Sequence, residues 1–107
     1  MKVNLNQKIN SIEGEVLKME EGNEKNKKVV DMTMSKAIIY ALTANFEDEK
    51  ELTGEEKVKR FMIAQKIYRK REGTIDSTAE EVALIKKLVG KAWGTIVVGK
   101  IWELLEK

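Results

Sequence analysis

The chain has 107 residues, 42% hydrophobic and 36% charged, with a net charge of +2. This is the size and balance of one small folded domain. It holds neither cysteine nor histidine, which excludes disulfides, thiolate metal sites and any mechanism that uses imidazole as base or ligand.

The elements follow in chain order. Val3, Leu5 and Ile9 alternate with Asn4, Asn6, Lys8 and Asn10, a period of two that predicts a strand with one buried face. Ile12 to Glu15 is a turn candidate, because Gly14 tolerates positive φ. Val16 to Met19 is then the returning strand, so residues 2–19 read as a β-hairpin. Glu20 to Lys28 is a polar loop, and Val29 and Val30 suit a short third strand.

Thr33 is the expected N-cap of a helix to about Ala44. Met34, Ala37, Ile38, Ala41 and Leu42 share its apolar face. Asn45 to Leu52 reads as an acidic connector anchored by Phe46. Its carboxylates do not match the spacing of an EF-hand loop, and a solvated loop is the preferred reading.

Thr53 and Glu56 have the spacing of a capping box, opening a helix to about Arg71 with Gly73 near its stop. Glu55–Lys59 and Glu56–Arg60 are i,i+4 pairs. Val58, Phe61, Met62, Ala64 and Tyr68 form one broad face, expected to be core. Ile63 and Ile67 fall on the far side. Either the helix is central and they are buried, which is the preferred reading, or they face a partner. They become candidate partner-binding residues, with Lys66, Arg69, Lys70 and Arg71 at the same helix's end. Those cations also complement the helix macrodipole.

Thr74 to Asp76 is an extended connector able to pair with the hairpin. Ser77/Glu80 or Thr78/Glu81 opens the next helix, with Val82, Leu84, Ile85, Leu88 and Val89 on its apolar arc. Gly90 is the expected end of that helix. A final helix over about Thr95 to Glu106 carries Val97, Val98, Ile101, Trp102, Leu104 and Leu105. Gly99 on its other side would allow close backbone approach. Ser77 to Glu106 thus reads as an αα-hairpin holding both tryptophans. Its last helix offers only Lys100 before Lys107, which argues against a DNA-reading helix-turn-helix.

The architecture expected is one α+β domain over 1–107, mostly helical: an N-terminal β-hairpin and loop (1–32) packed on about four helices (33–107). Residues 1–56 carry 8 Lys/Arg against 12 Asp/Glu, and residues 57–107 carry 12 against 6. This asymmetry lets the halves attract each other, or marks an anionic partner. On the second reading Lys86, Lys87 and Lys91 join the basic helix end as candidate nucleic-acid contacts. Ser11, Ser35 and Ser77 are the only serines, none in a nucleophile-elbow setting, and no phosphate-binding Gly-rich loop is present. Neither a cofactor nor a metal is implied, and the class expected is not an enzyme. No stretch approaches the ~18 apolar residues of a membrane span. Met1 to Leu5 lacks a signal peptide's apolar core, and the setting expected is cytoplasmic.

The opening MKVNLNQKINSIEGEVLK, the middle LTGEEKVKRFMIAQKIY and the ending STAEEVALIKKLVGKAWGTIVVGKIWELLE resemble a group of small proteins encoded by tailed phages and prophages. The resemblance spans most of the chain and transfers no catalytic residue. It implies a phage origin and a setting inside the infected host cell. It also implies action by binding: a regulator or inhibitor of a host defence system, a transcription modulator, or an assembly helper. The reading is therefore a non-enzymatic protein-binding module with a host or phage protein as partner. The alternatives are a nucleic-acid-binding protein and a homo-oligomeric assembly component.

Overall fold

Alternating burial along the first residues forms the strand that the spacing predicts, but with a different partner. A computed structural model describes residues 2–22 and 25–106. Strand β1 (Lys2–Asn4) pairs antiparallel with β4 (Thr74–Asp76), setting Val3 against Ile75. Both side chains are buried, so this long-range pairing covers two apolar groups at once. The Leu5 amide extends the contact by donating to the Gly73 carbonyl at 2.9 Å.

The hairpin expected over residues 2–19 is thereby corrected. Residues 9–17 fold back as a short turn, through a bridge between Asn10 and Val16, a Leu17 N–H to Ile9 carbonyl bond of 2.9 Å and a Ser11 N–H to Glu15 carbonyl bond of 2.8 Å. Strand β2 (Lys18–Glu21) pairs forward with β3 (Lys28–Asp31), the third strand suggested by Val29 and Val30. The reason is burial: Val16, Leu17 and Met19 are only half-buried, so they offer β1 less than Ile75 does. Lys18 and Lys8 both reach Asp31, pulling its carboxyl below the usual range. Gly22 leaves β2 with φ 106°, and a Cβ there would collide with the Asn26 carbonyl. Of the polar loop expected over Glu20 to Lys28, Asn23 and Glu24 lie outside the described residues.

Helix α1 (Met34–Thr43) forms where the apolar spacing places it, and the Thr33 hydroxyl accepts the Lys36 amide at its start. Met34, Ala37, Ile38, Ala41 and Leu42 are all buried. α1 is the centre of the domain, packed against both α2 (Gly54–Arg69) and α3 (Ala79–Ala92). α4 (Thr95–Leu105) lies on α3, giving the expected αα-hairpin. The Thr53 hydroxyl caps α2 through the Glu56 amide. Thr78 and Glu81, rather than Ser77 and Glu80, make the reciprocal capping box of α3.

Gly90 does not end α3; the helix continues to Ala92, and Trp93 is its cap. Nothing lies near Gly99, so no close backbone approach depends on it. The tryptophans act as ties. Trp93 Nε1 donates to the Ala37 carbonyl at 3.0 Å, and its ring lies 4.8 Å from that of Tyr40. Trp102 Nε1 donates to the Lys86 carbonyl at 3.2 Å. The described residues form a small α+β domain with four helices and two separate two-stranded antiparallel sheets. Among the described residues no helix is long and apolar enough to cross a membrane.

The acidic connector is not wholly solvated. Glu49 turns inward, and both its oxygens accept from Arg60, at 2.7 and 2.6 Å. Arg60 therefore bonds to the connector instead of making the helical pair expected with Glu56. Lys91 on α3 joins from the other side, 3.3 Å from Glu49 and 2.9 Å from Asp48. The Arg60 guanidinium, and then Lys91, hold the Glu49 carboxyl down to about 2 against the cost of its burial. The pair offsets the desolvation of Arg60 and clamps the connector across α2 and α3.

Candidate functional site

Helix α2 carries two apolar faces: that of Ile63 and Ile67 is buried, as the preferred central-helix reading has it, and the broad face expected to be core is exposed. Ile63 is 6% exposed and Ile67 0%, with Ala64 and Arg60 buried beside them. Positions 60, 63, 64 and 67 define one face of a 3.6-residue helix, and this face meets the core. Ile63 and Ile67 are thus corrected as partner-binding candidates: neither has surface to offer. The broad face expected to be core points outward. Val58 is 56% exposed, Phe61 56%, Met62 62% and Tyr68 58%. Only Ala64 of that expected set is buried.

Pairing explains the burial of the Ile63–Ile67 face. Its apolar members join the same cluster as Ala37, Ile38, Ala41 and Leu42 of α1. Its one charge, Arg60, is matched by Glu49. The outward face is interrupted by Gln65 and Arg69, both exposed. Among the described residues neither the Gln65 nor the Arg69 side chain has a hydrogen-bond or ion-pair partner. The missing signal was therefore the partner of Arg60, which lies 11 residues away and outside the helix.

The outward face has relief. Phe61 borders a depression beside Lys57 and Leu52. Val58 and Met62 border another towards Glu81 of α3. Tyr68 reaches a groove of about 400 Å³ between β2 and α1, lined by Met19, Ile39 and Tyr40, with Lys36 and Arg71 at its edge. The Arg71 guanidinium stacks 4.5 Å from the centre of the Tyr68 ring and donates to the Tyr68 carbonyl. The aromatic end of the face is thereby held in place.

The cations expected to form a patch divide into two sets. Arg69, Lys70 and Arg71 line a shallow depression at the end of α2, and none forms an ion pair among the described residues. Lys66 is instead drawn to the Asp76 carbonyl at 2.8 Å and to Glu81 at 3.4 Å. Glu81 is held below the usual range by the Thr78 amide and by Lys66. Lys86 pairs with Glu106 at 2.8 Å and lies over Trp102. Lys91 is bound in the Glu49 clamp, and its ammonium is raised by Asp48 and then Glu49. Of the nucleic-acid candidates on α3, Lys87 alone is exposed without an ion pair among the described residues. Each shifted group is thus accounted for by a structural pair or cap. Among the described residues no group of three or more Asp and Glu is placed to hold a metal ion.

Comparison with protein-family models, curated proteins and solved structures finds no match.

Proposed function

We propose that the chain is a non-enzymatic protein-binding module, acting in the phage setting that its sequence resemblance implies, as a regulator or inhibitor of a host system. The observation that carries this reading is the outward face of α2. Val58, Phe61, Met62 and Tyr68 stand more than half exposed on one side of a well-anchored helix. Four large apolar groups exposed along one side of a helix form the kind of patch that marks an interaction site. Phe, Tyr and Met are also enriched at interface cores. The opposite side of α2 is locked to the core by Ile63, Ile67 and the Arg60–Glu49 pair, so the face is presented on a rigid element.

Affinity capture from host cells, with the wild-type chain and Met62→Glu side by side, tests this reading. The expected result is a protein retained by the wild type and lost with Met62→Glu, while both unfold at the same temperature. Equal retention by both would refute the assignment of the face.

A further inference from the structure

We propose that this face takes a second copy of the chain, bound antiparallel about a twofold axis near Met62. The inference rests on the reading of the face as a protein interface and assigns it to a second copy, which a host protein would have to displace. Glu55, Val58, Met62, Gln65 and Arg69 run along the centre of the face, separated by three, four, three and four residues. This is the spacing of a seam between two helices. All five are exposed, while Phe61 and Tyr68 flank the seam on one side.

The row complements its own reverse. Antiparallel superposition on Met62 sets Glu55 of one copy against Arg69 of the second copy, and Arg69 of the first against the second Glu55. The Met62 side chains meet at the axis, and Val58 lies against the aliphatic stem of Gln65. A parallel arrangement would put Glu55 on Glu55 and Arg69 on Arg69. Neither Glu55 nor Arg69 has an ion pair within its own chain among the described residues, so both are available. By contrast, the neighbouring Lys66 is already matched by Glu81.

The dimensions agree. Glu55 to Arg69 spans about 21 Å of helix. The exposed parts of Val58, Phe61, Met62 and Tyr68 offer on the order of 400 Å² of mainly apolar surface. That is roughly the apolar half of the ~800 Å² that each partner contributes to a specific interface. The twofold makes the contact isologous and closed, so it ends at a dimer.

The test is sedimentation velocity of the full chain from about 5 to about 500 µM. The expected result is a mass that rises with concentration from 12.2 kDa towards twice that value. Met62→Glu places two carboxylates at the axis and is expected to stay monomeric throughout with an unchanged Tm. Glu55→Lys alone and Arg69→Glu alone are each expected to weaken the dimer at least tenfold. An equimolar mixture of the two is expected to restore it, because both ends then pair opposite charges. A wild type that remains monomeric, a Met62→Glu dimer, or a mixture that fails to recover would each overturn the proposal. A monomeric wild type that still loses a captured protein on Met62→Glu overturns this inference alone. If Met62→Glu unfolds the chain, the face is core, and the proposed function falls with it.

Discussion

Glu49→Gln removes the charge that holds Arg60 in the interior while keeping the side chain's size. In the native chain the Glu49 carboxyl sits at about 2 rather than 4.5, chiefly because of its two bonds to Arg60. By linkage, a shift of that size on a side chain only 10% exposed corresponds to about 3 kcal/mol of stability at neutral pH. A buried ion pair broken on one side costs ~3–5 kcal/mol, so the two lines of reasoning meet near 3. For a domain of this size that is a drop in Tm of roughly 15 °C.

The pH dependence separates this mechanism from a simple loss of shape. The folded pKa is depressed, so the stabilisation is complete above the unfolded value of 4.5 and disappears as pH falls through about 2. Urea melts of wild type and Glu49→Gln from pH 7 to pH 2 should therefore differ by a constant amount down to about pH 5. The difference should then narrow steadily below that pH. A variant within about 0.5 kcal/mol of wild type at pH 7, or a gap that does not close in acid, would refute the clamp.

The burial of one face of α2 and the exposure of the other give a second expectation. Ile67→Ala is expected to cost about 3 kcal/mol, whereas Met62→Ala should stay within about 0.5 kcal/mol; chemical denaturation of both reads the contrast. Thr78→Ala removes the hydroxyl from the α3 capping box and should lower stability by about 1 kcal/mol in the same assay. Gly22→Ala meets both a positive φ and the Asn26 carbonyl. It should lose at least ~1 kcal/mol, with Gly14→Ala as the milder control because open space surrounds that position.

Much of the helical part was legible because local signals decide it. Thr33, Thr53 and Thr78 start helices where their spacing places them, and the apolar arcs of α1 and α3 face the core as their period requires. Boundaries moved where propensity yielded to context: Gly90 remains helical because the segment is anchored beyond it by the Trp93–Ala37 bond. The strands were legible as strands but not in their pairing. Val3 finds Ile75 more than 70 residues away, and no local turn reports that partnership. The faces of α2 are ambiguous in sequence for a related reason. Two apolar faces on one helix look alike until the partner of Arg60 is known, and Glu49 lies in a connector whose charge pattern suggests solvent. The period thus places the exposed Phe61, Met62 and Tyr68 in the core, whereas the preferred central-helix reading of Ile63 and Ile67 matches their burial and leaves them no surface for a partner.

The central claim is that the Val58–Phe61–Met62–Tyr68 face is where another polypeptide docks. Photocrosslinking from a reactive residue placed at Phe61 in cells that express the chain tests it most directly, with Glu103 on the exposed side of α4 as the reference position. The account predicts protein adducts from position 61, suppressed by Met62→Glu, and none from position 103. No adduct from 61, or equal adducts from both positions, would contradict it.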